Sequence, residues 1–122
     1  MSERAALRVL VVEDEVLVAM LIEDMLRELD CEVVALSGTL EDALRRAQGD
    51  AFDIAVLDVN LNGRQSLPVA DALRARKLPF LFATGYGAKI LGGAYDGVPV
   101  LQKPFGREEL KDALAKLLPG RL

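Results

Sequence analysis

Short apolar stretches alternate along the chain with longer segments in which apolar residues recur every three or four positions. The short stretches have the length and composition of buried strands, and the longer ones predict amphipathic helices. Pro99 lies near the start of the last short stretch and favours an edge position there, because proline cannot donate to a sheet ladder. The five predicted strands are LRVLVV (7–12), CEVVAL (31–36), IAVL (54–57), FLFA (80–83) and VPVLQ (98–102).

Four segments outside these strands have helical periodicity. The second begins with a capping-box pattern at Thr39 and Asp42, and Gly49 is predicted to end it. The third tolerates Pro68, because proline fits the first turn of a helix. The apolar stripe of the first helix is predicted to contain Val18, Ile22, Met25 and Leu29. The four segments are 16–30, 39–49, 66–77 and a last helix that carries Leu110, Ala113, Leu114 and Leu117 on one face and stops at Pro119-Gly120.

Buried strands that alternate with helices predict an α/β fold with a parallel sheet covered on both faces. We expect a flavodoxin-like, doubly wound, five-stranded sheet with strand order 2-1-3-4-5. The interval 85–97 holds half of the chain's ten glycines. A fourth helix in this interval is therefore predicted to be short or loosely formed.

The composition indicates one compact domain. The chain has 122 residues, of which 52% are hydrophobic and 28% charged, and we expect a single domain over 1–122 with no output domain. A net charge of −4 without a basic cluster argues against a nucleic-acid partner. Neither a membrane-spanning apolar run nor a secretory start is present, so we expect a cytoplasmic protein. The lone Cys31 and the absence of histidine exclude an internal disulfide and histidine metal sites.

Polar residues whose side chains could take part in binding or catalysis stand at the ends of four predicted strands. They are Glu13 and Asp14, Asp58, Thr84 and Lys103. In open parallel sheets, ligands bind beyond the carboxyl ends of the strands, at the topological switch point. Each residue taken alone could have a purely structural role, such as part of a solvated acidic turn or a surface lysine. Their joint occurrence at one edge of the sheet favours a functional site.

Three carboxylates at one edge would repel each other and raise the pKa of one of them unless a cation is bound. Mg²⁺ prefers oxygen ligands and is held by one or two carboxylates, waters and a phosphate oxygen. The three negative charges would be balanced by Mg²⁺ together with the ammonium of Lys103. The predicted site is therefore suited to receiving a phosphoryl group.

Four stretches, VLVVEDE, VLDVNL, FATGYG and LQKPF, resemble the motif blocks of the bacterial response-regulator receiver domain, in the right order and spacing. The resemblance covers about the whole chain. The stretch PFLFATGYG further resembles a subgroup of receivers marked by Phe-Ala-Thr-Gly-Tyr, many of which are single-domain proteins.

The resemblance implies a role for each residue at the strand ends. Asp58 would accept a phosphoryl group from a phosphohistidine on a histidine kinase or a histidine phosphotransfer protein. Thr84 and Lys103 would contact phosphoryl oxygens, and positioning with charge neutralisation would supply most of the catalysis. The protein would then be no enzyme beyond catalysing its own phosphorylation and dephosphorylation. The implied Mg²⁺ ligands are Glu13, Asp14, Asp58 and the backbone carbonyl of Asn60.

Two positions depart from the pattern of receivers. Asn62 replaces the usual proline four residues after Asp58, and Val100 replaces the aromatic residue three positions before Lys103. Because valine has no ring to reorient, Tyr86, between Gly85 and Gly87, is our candidate for the switch residue together with Thr84. The alternative is a tyrosine that packs on the rim of the sheet.

Our leading interpretation is a stand-alone receiver, a monomer or weak dimer, that switches protein contacts on phosphorylation. A phosphate sink or shuttle without an effector is the first alternative, and a receiver from a hybrid kinase is another. A haloacid-dehalogenase-like phosphatase would share the chemistry of the aspartate, threonine and lysine. It would require its nucleophile on the first strand and a second aspartate where Asn60 stands. A nucleotide binder is less favoured, because no glycine-rich loop follows the first strand.

Overall fold

The structure is a computed structural model that describes residues 6–85 and 95–120. The candidate switch residue Tyr86 and most of the interval 85–97, in which a fourth helix was predicted, fall within 86–94 and so lie outside the described residues. The helices and strands of the described part are β1 (Leu7–Val12), α1 (Val16–Glu28), β2 (Cys31–Ser37), α2 (Leu40–Gly49), β3 (Ile54–Asp58), β4 (Asn60–Leu61), β5 (Arg64–Gln65), α3 (Leu67–Ala75), β6 (Phe80–Thr84), β7 (Val100–Gln102) and α4 (Arg107–Leu117).

Five of the strands form a parallel sheet in the order β2-β1-β3-β6-β7. Counting only these five strands, the order is 2-1-3-4-5, which confirms the predicted flavodoxin-like fold. The last strand lies at the edge, as Pro99 indicated, and it begins after the proline, at Val100. A feature that the sequence did not predict is the two-stranded antiparallel hairpin of β4 and β5. We call residues 60–65 the β4–β5 hairpin.

The sheet separates two apolar clusters, one on each face. One cluster combines Leu10, Leu57 and Phe82 of the sheet with residues of α2 and α3. The other combines Val11, Val56 and Leu81 with residues of α1 and α4. Since successive side chains of a strand point to opposite faces, the central strand β3 is buried along its whole length. Its last residue is therefore held in a rigid frame.

Two helices end earlier than the sequence indicated. Helix α1 ends at Glu28. Asp30 cannot continue it, because its φ of 62° lies outside the right-handed helical region. Helix α3 ends at Ala75, and Lys77 has a φ of 60°. The buried stripe of α1 consists of Ala19, Ile22 and Leu26, and the predicted Val18, Met25 and Leu29 are partly buried at its border.

The cap of α2 is the predicted one in part. Thr39 Oγ1 accepts a hydrogen bond of 3.1 Å from the Asp42 amide. The Asp42 carboxylate does not return this bond and instead accepts from the Ser37 hydroxyl at 2.6 Å and from Arg46 at 2.9 Å. These two donors hold the pKa of Asp42 at about 2.

Within the described part of the chain, no helix is both long enough and apolar enough to cross a membrane.

Candidate functional site

The carboxyl ends of four neighbouring strands meet around one open cleft of about 460 Å³, which we call the acidic cleft. Glu13 and Asp14 follow β1, and Asp58 ends β3 next to it. One carboxylate oxygen from each of these three residues lies within 4.8 Å of the other two. The predicted convergence of carboxylates is therefore present. The cleft is lined by Asp14, Glu15, Asp58, Asn60, Gly63, Gly85 and Lys103.

The register of the sheet brings these residues together. Val12 pairs with Leu57 across β1 and β3, so the residues that follow each strand reach the same edge. On the other side, Thr84 pairs with Gln102, and the Lys103 amide donates to the Thr84 carbonyl at 2.8 Å. Thr84 is buried at the end of β6, and the next residue, Gly85, lines the acidic cleft. The strand ends thus position every predicted charged group without help from a long loop.

Lys103 bridges two of the carboxylates. Its Nζ donates to Glu13 Oε1 at 2.5 Å and to Asp58 Oδ2 at 3.1 Å. The side chain of Glu13 is 1% exposed, that of Asp58 9% and that of Lys103 17%. Glu13 is therefore the most deeply buried charged group of the three, and Lys103 connects it to the more accessible Asp58.

Burial controls the electrostatics of this group. It raises the pKa of Glu13 to about 7, although hydrogen bonds from Lys103 and from the Glu15 amide act in the opposite direction. The negative charge of Asp58 adds to the increase. Burial acts to lower the pKa of Lys103, but its hydrogen bonds and attraction to Glu13 and Asp58 outweigh burial and raise it. The clustering of carboxylates predicted that one pKa would be raised; the rise occurs at Glu13, but its largest cause is burial, and repulsion from Asp58 adds a smaller part.

Ser66 holds the backbone of Asp58 in place. Its hydroxyl, which is fully buried, donates to the Asp58 carbonyl at 2.6 Å, and its amide donates to the Val59 carbonyl at 2.8 Å. The Asn60 amide donates to Asp58 Oδ1 at 3.2 Å. The sequence placed Ser66 only at the start of a helix. Its position three residues after Gly63 of the Asn-Gly turn was the available signal, since a serine there can reach back across a hairpin.

Asp14 is held from the opposite side of the cleft. Its Oδ2 accepts a hydrogen bond of 2.8 Å from the backbone amide of Asn62, in the turn of the β4–β5 hairpin. The turn is closed by the Gly63 amide, which donates to the side-chain oxygen of Asn60 at 2.8 Å. Asn62 was predicted only as a replacement for proline, and this contact with Asp14 was missed.

Val100 lies beside Phe82 in the sheet and packs against the cluster that also contains Tyr95. The ring of Tyr95 packs edge-on against Phe82 with centroids 5.4 Å apart, and its hydroxyl donates to Asp71 at 2.9 Å. Sequence reasoning missed Tyr95, because nothing in the glycine-rich interval distinguishes a buried tyrosine from an exposed one. Tyr95 therefore supplies an aromatic ring to the cluster against which Val100 packs.

Helix α1 exposes apolar side chains to solvent next to the acidic cleft. Val16, Leu17 and Leu21 are 71%, 76% and 62% exposed. An apolar groove of about 300 Å³ lies between this helix and the segment after β7, and Lys103 lines both the groove and the acidic cleft. We call the exposed residues Val16, Leu17, Met20 and Leu21 the α1 apolar face.

Comparisons with known proteins agree with this architecture. Residues 9–115 match the family model described as the response regulator receiver domain. The solution structure of SdrG from Sphingomonas melonis Fr1 is 45% identical with a TM-score of 0.85, and the match covers 95% of this chain and 99% of that one. The anti-anti-sigma factor PhyR from Bartonella quintana is 27% identical with a TM-score of 0.81, over 95% of this chain and 49% of that one.

Among curated proteins, the sensory transduction protein LytT of Bacillus anthracis is 32% identical over 114 residues, which cover 90% of this chain and 46% of LytT. The transcriptional regulatory protein PdtaR of Mycobacterium tuberculosis is 29% identical over 88% of this chain and 54% of its own length. The chain thus spans about half the length of these curated relatives. The family match across most of the chain, the SdrG likeness and the sheet order lead to one conclusion: the chain belongs to the response regulator receiver domain family.

Proposed function

We propose that this receiver accepts a phosphoryl group on Asp58 from a phosphohistidine of a histidine kinase or a histidine phosphotransfer protein. The observation that carries the proposal is the position of the Asp58 carboxylate. It ends the buried central strand, lines the acidic cleft and lies 3.1 Å from the Lys103 ammonium. In the reaction, an Asp58 oxygen bonds to phosphorus, the phosphorus–nitrogen bond breaks, and the imidazole leaves with the bonding electrons.

The residues of the acidic cleft fit the Mg²⁺ that receivers use. The donors are hard carboxylate oxygens within 4.8 Å of one another, which is the type of donor set that Mg²⁺ prefers. Glu13, Asp14 and Asp58 would hold the ion with the backbone carbonyl of Asn60. When bound, Mg²⁺ supplies positive charge to the phosphoryl oxygens during transfer.

The remaining site residues would stabilise the phosphoryl group from the protein side. Lys103 already contacts Asp58 and would turn its ammonium to a phosphoryl oxygen. Thr84, at the end of the adjacent strand, would donate its hydroxyl to a second oxygen. Ser66 and the Asn60 amide keep the nucleophile oriented. The chain's own part of catalysis is thus orientation and charge.

The first test is phosphorylation by acetyl phosphate, a small phosphodonor, in the presence of Mg²⁺. Intact mass should increase by one phosphoryl group in the parent protein and not at all in Asp58→Asn. Asp53→Asn, at a carboxylate paired with Arg8 away from the cleft, is the matched control and should be labelled like the parent. Equal labelling of Asp58→Asn would remove the assignment.

We further propose that the protein phosphodonor docks on the α1 apolar face. This face is exposed and apolar, and its residue Leu21 lines the apolar groove that Lys103 shares with the acidic cleft. Leu17→Glu should slow transfer from a cognate kinase, found by screening purified histidine kinases, by about tenfold, in the range of an interface anchor. Acetyl phosphate, which needs no docking protein, should still label this variant. Gln48→Glu on exposed α2 adds the same charge and should leave transfer from the kinase unchanged.

The domain organisation and the output remain proposals as well. A single receiver over 1–122 that works as a separate unit is supported by the match to SdrG, 99% of whose chain is covered. A phosphate sink would be favoured instead by fast dephosphorylation without a phosphorylation-dependent partner. Family membership and the position of Asp58 on the third strand of the parallel sheet, rather than the first, argue against the haloacid-dehalogenase alternative.

A further inference from the structure

One hydrogen bond crosses the mouth of the acidic cleft and joins two loops that are far apart in sequence. The Asn62 amide donates to Asp14 Oδ2 at 2.8 Å, across a separation of 48 residues. Asn62 belongs to the exposed turn of the β4–β5 hairpin, and Asp14 lies directly after β1. Among the three candidate carboxylate ligands of the described structure, the bond therefore fixes the one that is neither deeply buried nor paired with Lys103.

The local sequence explains why the Asn62 amide points at Asp14. Asn62 and Gly63 have positive φ values of 53° and 84°, as the two central residues of a tight two-residue hairpin turn require. Asparagine and glycine are the residues that adopt these values at least cost. The side chain of Asn60 closes the same turn by accepting from the Gly63 amide. Asn60 to Gly63 therefore form a small preorganised unit that presents one outward amide.

The chemistry of the acceptor decides what this amide does. A carboxylate has two oxygens and about four acceptor positions, so an amide bond to one side leaves capacity for a cation. Carboxylates that bind metal ions are commonly oriented by such hydrogen bonds, and their loss weakens metal binding by about ten- to a hundredfold. Without the amide, the partly exposed side chain of Asp14 would be free to rotate, and fixing it when an ion binds would cost conformational entropy. The amide restricts the rotamer before the ion binds.

We propose that Asn62 is a positioning residue for the cation site: its backbone amide holds the Asp14 carboxylate ready to bind Mg²⁺. This inference rests on the proposed function of the acidic cleft. Because coupling between two equilibria is reciprocal, bound Mg²⁺ should in turn stabilise the β4–β5 hairpin. The hairpin is then part of the cation site and not a passive connection to α3.

The hydrogen bond itself is tested by amide exchange measured by nuclear magnetic resonance on the metal-free full chain. Asp14→Ala should speed exchange of the residue 62 amide by about tenfold, the change that corresponds to losing one hydrogen bond to a charged group. Its proton resonance should also move upfield. The Gly63 amide, which is bonded to Asn60, is the internal control and should stay protected. An unchanged residue 62 amide in Asp14→Ala would overturn the inference.

The role of the bond in cation binding is tested by calorimetric titration with Mg²⁺. Asn62→Gly keeps the amide and tolerates positive φ, so its affinity should stay within about twofold of the parent. Asn62→Pro removes the amide and forbids positive φ, so its affinity should fall by about tenfold. Equal affinities of the two variants would overturn the positioning role alone. A parent protein that binds no Mg²⁺ would overturn the proposed cation site together with it.

Discussion

On the inner side of the acidic cleft an ammonium holds two buried carboxylates, whereas on the outer side a backbone amide holds a partly exposed one. The inner side consists of Glu13, Asp58 and Lys103, whose bonds measure 2.5 and 3.1 Å. The outer side consists of Asp14 and the β4–β5 hairpin, joined by the bond of 2.8 Å from the Asn62 amide. Asp58 lines the cleft between the two.

The difference separates two tasks. Charge pairs in a buried environment interact strongly and are weakly screened by salt. The charges of the inner side would therefore set the electrostatic environment of a phosphoryl group on Asp58. An amide bond at the surface contributes less energy but fixes orientation. Under the proposed function, the outer side would therefore orient the carboxylate that binds the cation. Changes on the inner side should alter the stability of the whole protein, and changes on the outer side should alter cation binding.

The largest effect is expected from Lys103→Met on the inner side. Removing one partner of a buried ion pair destabilises a protein by about 3–5 kcal/mol. We expect a smaller loss of about 2 kcal/mol in the free energy of unfolding, because Glu13 can take up a proton in response. Urea unfolding at neutral pH without metal measures it. Lys111→Met on the exposed face of α4 should change stability by less than about 0.5 kcal/mol, and equal losses in both variants would contradict the pairing.

A smaller effect on the same side should appear in the pH dependence of stability. Glu13 titrates near 4.5 in the unfolded chain and at about 7 in the folded protein. Between these values the folded state binds more protons, so its contribution to stability is present below pH 4.5 and is lost as pH rises through about 7. Lys103, with a pKa raised above 10.5, stays charged throughout.

The measurement is the difference in unfolding free energy between the parent and Glu13→Gln, without metal, from pH 4.5 to about 8. Carboxylates common to both proteins cancel in this difference. The parent should lose stability relative to the variant as pH rises, and saturating Mg²⁺ should reduce that loss because the ion stabilises the deprotonated carboxylate. Parallel curves in the absence of metal would show that Glu13 titrates normally.

The inner side could be predicted from the sequence, because its residues come directly after predicted strands. Asp58 comes after a fully apolar run, and Lys103 follows the last one. Once strand order is known, parallel register brings such residues to one edge without further information. Burial then follows from the neighbouring strands. The raised pKa of Glu13 has the predicted direction, but its largest cause is burial rather than the predicted repulsion among carboxylates.

The outer side could not be predicted because its structure depends on short elements without periodicity. Strands of two residues carry no alternating pattern, so hydrophobic periodicity does not reveal the β4–β5 hairpin. The buried hydroxyl of Ser66 and the packing of Tyr95 on Phe82 likewise depend on tertiary contacts. The switch role of Tyr86 remains a prediction, as does the Phe-Ala-Thr-Gly-Tyr subgroup.

The smallest effect on stability is expected from Asp14→Ala on the outer side. In Asp14→Ala the loss of the surface bond to Asn62 is offset by the removal of one of three clustered negative charges, so the stability of the metal-free protein should change by less than about 0.5 kcal/mol. The same variant should lose most of the rise in melting temperature that Mg²⁺ produces in the parent, because a ligand stabilises only the state that binds it. Glu15→Ala is the matched control, since Glu15 is the adjacent exposed carboxylate, lines the same cleft and makes no side-chain cap bond to α1. Its response to Mg²⁺ should equal that of the parent. If Asp14→Ala kept the full Mg²⁺ response, or if Glu15→Ala lost it, the cation would be bound by a different set of carboxylates, and the division between the two sides would have to be redrawn.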